Sequence, residues 1–165
     1  MDDIKYSPIG SIRTPFKKQE GMPIQPSGAK GVRGTVKLKQ EYIGGLKDLE
    51  GFSHIVLIYH LHLSKSHDLM VIPFLYDQPR GVFATRAPRR PNSIGLSVVK
   101  LNAVEEDTLK IENVDIIDGT PLLDIKPYVP EFDAQTEVKT GWLAEVKKQV
   151  KQVKSDNRFN ASKKV

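Results

Sequence analysis

Between Asp77 and Glu105 the chain carries no acidic residue, yet Arg80, Arg86, Arg89, Arg90 and Lys100 all fall there. Three of them sit in GVFATRAPRRPNSIGLS, residues 81–97. Pro88 and Pro91 fix φ at two points of that loop and push Ala87 and Arg90 toward extended backbone. A loop stiffened in this way loses less entropy when it binds a partner. Guanidinium groups grip phosphates and carboxylates in bidentate fashion. Arg86, Arg89 and Arg90, with Asn92 at the tip, therefore read as an anion-holding loop. A solvated surface loop is the plain alternative.

A second dense stretch is DGTPLLDIKPY, residues 118–128. Asp118-Gly119 offers turn amides and a carboxylate to a ligand, with Thr120, Asp124, Lys126 and Tyr128 close behind. Taken alone it is also a hairpin turn followed by an edge strand. A third set is His54, His60 and His62 in SHIVLIYHLHL. Their common parity places them on one face of a strand. Two histidines at this spacing can begin a metal site. His67 and Asp68 lie beyond a turn, so no convincing third ligand follows and no metal is expected. No GxGxxG follows a strand, and GxxxxGK[ST] and GxSxG are absent. Rossmann, P-loop and serine-hydrolase chemistry are thus unsupported.

The elements that must position these groups are short. Gly34–Lys39 alternates as a strand, and Ser53–Leu63 is the most apolar run, too short for a membrane span and rich in Ile, Val and Leu. Asp68–Leu75 is strand-like with Pro73 at an edge or bend. Gly81–Thr85 and Ile94–Val104 flank the arginine loop as strands, and Thr108–Ile117 and Leu122–Ile125 complete the set. Arg13–Gly34 is a long Pro- and Gly-containing loop whose Gly21–Ser27 part looks extended. About seven short strands without a long amphipathic helix predict an all-β fold, a small antiparallel barrel. Beyond Asp133 the texture changes. Trp142, Val146, Val150 and Val153 make an apolar stripe interleaved with Lys147, Lys148, Lys151 and Lys154, an amphipathic helix expected over 138–154. Two units are expected: a barrel over 1–133 and a basic helix and tail over 134–165.

The 165 residues include no cysteine, which excludes disulfides and thiolate metal sites. There is no apolar run of membrane-spanning length, and MDDIKYSPIG is too acidic and polar for a signal peptide. A soluble, cytoplasmic protein is expected. The formal net charge of +5 belongs to residues 134–165, which hold 8 Lys/Arg against 3 Asp/Glu. The barrel unit is neutral overall, so only the arginine loop and the tail are local footprints for a polyanion.

GVFATRAPRRPNSIGLS and DGTPLLDIKPYVPEFD, preceded by DLEGFSHIVLIYHLH, together resemble the TsaA-like (YaeB-like, TrmO-type) family over residues 4–133. The resemblance implies a small β-barrel that binds S-adenosylmethionine without a Rossmann domain and methylates N6 of threonylcarbamoyl-adenosine at tRNA position 37, beside the anticodon. It implies a cofactor site of Gln25, Pro26, Ser27, His62, Leu63, Arg86, Leu96 and the turn Asp118, Gly119, Thr120, Pro121. Arg86, Arg89, Arg90, Asn92 and Lys126 would face the tRNA. The family often has NPIG where this chain has Asn92-Ser93-Ile94-Gly95, and an aromatic residue at Arg89, departures that bear on the RNA side. It often forms homodimers. The methylated nitrogen is a poor nucleophile while protonated, so a base or strong acceptor helps. Asp118, His62 and Tyr128 are candidates, and the sequence does not choose among them. A non-catalytic module binding S-adenosylmethionine or RNA is the competing expectation.

Overall fold

The computed structural model describes residues 3–146 and 152–159. Six strands close a barrel: β1 (Gly10–Arg13), β2 (Arg33–Leu38), β3 (His54–His60), β6 (Ile94–Glu105), β7 (Thr108–Glu112) and β8 (Thr120–Pro127). Their order around the barrel is β1-β2-β7-β6-β3-β8, and every pair is antiparallel. Two further strands, β4 (Met70–Val71) and β5 (Arg80–Gly81), pair with each other beside it. The barrel itself thus has six strands, against an expected seven or so.

Period-two alternation builds the interior. In β6, Gly95, Ser97, Val99 and Leu101 are buried while Ile94, Leu96 and Lys100 face outward. Ile12, Val36, Ile55, Leu57, Leu109, Ile111 and Leu122 come inward from five other strands and form one cluster. Full burial of each such side chain contributes about 1.5–3 kcal/mol. A bulge between Ile58 and Tyr59 shifts the β3–β8 register near the His60 end.

Two expected strands are much shorter than the sequence suggests. Gly81–Thr85 is not a flanking strand: after Gly81 the chain makes a 3-10 turn over Val82–Ala84, because the Thr85 amide and hydroxyl both donate to the Val82 carbonyl, at 3.1 and 2.9 Å. Burial of Val82 with Val71 and Ala87 in a small satellite cluster holds that turn. Asp68–Leu75 reduces to the two residues of β4. The polar tail also departs from its pattern. After the short α1 (Pro130–Asp133), α2 spans Leu143–Val146, while Lys147, Lys148, Val150 and Lys151 lie outside the described residues. The helix does not reach residue 154: Lys154 is extended and bridges Pro23. Trp142 docks on the turn after β5, its indole N–H donating to the Ala84 carbonyl at 2.8 Å. Among the described residues no helix is long and apolar enough to cross a membrane.

Candidate active site at the barrel mouth

β3 ends, and β6 and β8 begin, at the same end of the barrel, since His60 pairs with Ile94 and Tyr59 with Leu122. A cavity of about 410 Å³ opens there. This volume lies within the usual range of small-molecule sites. Tyr59, Leu61, Gly95, Leu96 and Thr120 form its barrel side, and Met22, Ile24 and Gln25 form the side given by the long loop. His62, Leu63 and Ser64 follow β3, Thr85, Arg86, Pro88 and Arg90 come from the arginine loop, and Asp115, Ile116 and Ile117 precede β8. Phe74, Ser155, Asp156 and Phe159 complete the wall.

On the barrel side of the cavity is a directed hydrogen-bond chain. The Ser97 hydroxyl donates to an Asp115 carboxylate oxygen at 2.7 Å. Its one proton is then committed, so the Tyr59 hydroxyl, 3.0 Å away, donates to Ser97. Gly95 makes room for this arrangement, because a Cβ there would overlap the Tyr59 ring. Among the described residues no cation is in ion-pair contact with Asp115; Arg86 acts on it only from a distance. Burial therefore pushes Asp115 up to about 6. Burial also raises Tyr59, as does the nearby Asp115 charge. His62 is lowered, first by burial and then by His60 and Lys65, which favours the neutral imidazole. The pocket thus combines apolar walls, a half-buried carboxylate, a neutral histidine and a guanidinium at its rim. That donor set fits an S-adenosylmethionine-like molecule, which presents apolar, cationic and carboxylate parts.

The structure brings Gln25, His62, Leu63, Arg86, Leu96 and Thr120 together on this cavity. The Arg86 guanidinium donates to Gln25 at 3.4 Å, and His62 Nδ1 lies 3.4 Å from the Thr120 hydroxyl. Pro26 and Ser27 fall on an adjoining cleft that shares Gln25 and Arg86. Asp118 faces elsewhere, into a cleft on the barrel flank with Arg13, Lys17 and Arg33. There it accepts from the Thr14 amide at 3.0 Å and pairs with Lys17 at 2.7 Å and Arg13 at 3.7 Å. Gly119 supplies the positive φ of the turn, 77°, and Pro121 is paired with Ser11. Tyr128 and Lys126 are at the opposite end of β8, where Tyr128 donates its amide to His54 and Lys126 pairs with Asp124. The length of β3 separates them from the mouth, roughly 20 Å.

The three loop arginines do different things. Arg86 is exposed at the rim. Arg89, its side chain only 14% exposed, bonds Asp68 at 2.9 Å. Arg90 donates to the carbonyls of Val82 and Thr85, at 3.1 and 2.8 Å, and lies over the Phe83 ring. Asn92 is exposed at the tip. His54 and His60 keep the outward parity of β3, but His62 leaves that face: β3 stops at His60, and the His62 amide turns back to the His60 carbonyl at 2.8 Å. Among the described residues there is no group of three or more metal-ligating side chains. Sequence reasoning missed Tyr59, Ser97 and Asp115. The one available signal was a carboxylate set inside the apolar run Val114 to Ile117.

A model of the tRNA-methyltransferase O N-terminal domain matches residues 11–134. A Pyrococcus abyssi protein named "probable S-adenosyl-L-methionine-binding protein" is 53% identical over 156 residues, covering 94% of this chain and 85% of that protein. The tRNA (adenine(37)-N6)-methyltransferase of Homo sapiens is 37% identical over 139 residues, covering 79% of this chain and 31% of that one. The crystal structure of TrmO from Pseudomonas aeruginosa superposes with a TM-score of 0.73 at 39% identity, covering 86% of this chain and 63% of the crystallised one. The chain therefore spans somewhat less than two thirds of that TrmO and less than a third of the human enzyme. The family model spans most of the barrel and the relatives match over the same stretch, so the chain belongs to the TrmO family.

Proposed function

We propose that the protein is an S-adenosylmethionine-dependent tRNA methyltransferase acting on N6 of threonylcarbamoyl-adenosine at position 37. The observation that carries this reading is Asp115, a half-buried carboxylate with no ion-pair partner among the described residues, in a cavity of cofactor size. Gln25, His62, Leu63, Arg86, Leu96 and Thr120 hold the cofactor, and Pro26, Ser27, Gly119 and Pro121 shape the turns that carry them. Asp118 anchors the Arg13–Lys17 segment from behind. The cofactor, when bound, supplies an electrophilic methyl group on a sulfonium. The Asp115 carboxylate would take the proton that N6 gives up on methylation. Ser97 and Tyr59 fix that carboxylate and share the charge it carries beforehand. A base whose pKa sits near working pH is the effective one.

The tRNA approaches the rim. Arg86 and Asn92 are exposed there and make the RNA contacts, while Arg89 and Arg90 hold the loop in shape. Lys126 lies at the far end and serves only a long RNA footprint. Residues 1–133 supply the barrel and most of the cofactor cavity, the protein works in the cytoplasm where its substrate is, and it pairs as a homodimer. Exposed Leu69, Met70 and Phe83, beside β4 and β5, give a second copy an apolar surface.

The test is transfer of labelled methyl to tRNA carrying threonylcarbamoyl-adenosine. Wild type should transfer and Asp115→Asn should not, although both bind cofactor. Tight binding of cofactor or RNA by wild type with no transfer would establish the non-catalytic module instead.

A further inference from the structure

We infer that residues 152–159, beyond the segment matched by the family model, are part of the cofactor site and set its affinity; this rests on reading the mouth cavity as the S-adenosylmethionine site. The segment ties together two loops far apart in the sequence. On one side Ser155 spends its polar atoms on the long loop. Its carbonyl accepts from the Gly21 amide and its amide donates to Met22, both at 2.8 Å. Its hydroxyl accepts from the Met22 amide at 3.0 Å and bonds back to the carbonyls of Gln19 and Met22. Lys154 bridges Pro23 in the same antiparallel pairing. This is a one-rung sheet laid on the loop whose inner residues, Met22 to Gln25, line the cavity.

On the other side Arg158 donates to the Pro73 carbonyl at 2.7 Å and lies over the Phe74 ring. Asp156 holds that guanidinium with both carboxylate oxygens. The Phe159 ring meets Phe74 edge to face, centroids 5.0 Å apart, and packs on the Val71–Val82–Ala87 cluster. Ser155, Asp156 and Phe159 all face the cavity. A tail that merely packed would cover outer surface. This one supplies a wall and fixes the loop opposite Leu96. Phe74, its ring held by Arg158, and Phe159 add apolar surface to that wall. Ordering the loop beforehand also removes a cost from binding.

The experiment is calorimetric titration of the full chain with S-adenosylmethionine, for wild type, Phe159→Ala and Ser155→Pro, with Ser155→Ala as the milder variant. Far-UV circular dichroism and the unliganded thermal midpoint are read on each. The six-strand barrel touches the segment little, so the barrel signal should persist. Affinity should fall by about tenfold or more in Phe159→Ala and Ser155→Pro, a change of about 1.4 kcal/mol or more. Ser155→Ala should fall between these and wild type. Variants that stay folded and bind within twofold of wild type overturn the inference and leave the cofactor reading standing. No binding by wild type overturns both.

Discussion

Asp115 and Asp118 stand three residues apart and face different clefts. Asp118 lies on the barrel flank, where Lys17, the Thr14 amide and Arg13 hold its carboxyl below the usual carboxylate range. Asp115 lies at the mouth, where burial raises it to about 6; among the described residues no cation pairs with it, and Arg86 acts only from a distance. A carboxylate ringed by cations has its charge already used in holding chain to chain. One left half-desolvated and unpaired is free to take a proton, and such perturbed groups in a cleft mark functional sites. The motif residue that attracts notice in the sequence is thus the one held by cations.

The sharpest way to break this contrast is to neutralise each carboxylate in turn. Asp115→Asn should lower methyl transfer by about a hundredfold or more, as expected for removal of a general base. Asp118→Asn should leave turnover within a few-fold and cost about 1 kcal/mol of stability in a denaturant titration, the usual worth of a lost hydrogen-bond partner. Equal losses of turnover would erase the distinction. Next in size is Gly95→Ala. Its methyl meets the Tyr59 ring, so about 1–3 kcal/mol of stability should be lost through overpacking, with disturbance of the Tyr59–Ser97–Asp115 chain.

The two aspartates should also give stability opposite pH dependences. The folded pKa of Asp115 lies above its unfolded value, so its contribution is full below about pH 4 and is lost as pH rises through about 6. Asp118 has a depressed folded pKa, so its contribution is present above about pH 4 and is lost as pH falls through the folded value. Stability measured from pH 3 to 8 should therefore show Asp115→Asn gaining on wild type toward neutral pH, by about 3 kcal/mol. Asp118→Asn should lose ground over the same rise. Parallel curves would refute the assignment. A smaller effect sharpens the loop contrast: Arg86→Ala should reduce the salt slope of tRNA binding by about one unit or less. Arg89→Ala should instead lower the melting temperature, since it breaks the bond to Asp68. The smallest expected change is in Tyr128→Phe, which should leave kcat and KM as they are.

The barrel was largely legible because its strands announce themselves locally. Val36 and Leu38, Ile55 and Leu57, and Val99 and Leu101 alternate inward as the pattern required. The arginine loop and the DGTP turn were legible as dense chemistry. What each arginine does was not, because Arg89 is spoken for by Asp68, 21 residues earlier, and Arg90 by carbonyls of a turn that looked like a strand. His62 left the His54–His60 face for a similar reason. Parity holds only while the strand lasts, and one backbone bond from His62 to His60 ends it. Asp115 escaped notice because its environment is assembled from Ser97 and Tyr59, which only β-pairing brings near.

The closure of the barrel also sets a schedule for making it. β1 pairs with β8, Gly10 with Leu122, so the first strand translated waits for the last. At about 5–20 residues per second, that wait is roughly 5–20 s on the ribosome. During it the edges of β1 and of β3, which also needs β8, stand open to other chains. Contacts this distant also slow folding once the chain is free. Expression yield should therefore respond to whatever shields nascent strands, chaperone supply and temperature above all, more than to the stability of the finished barrel.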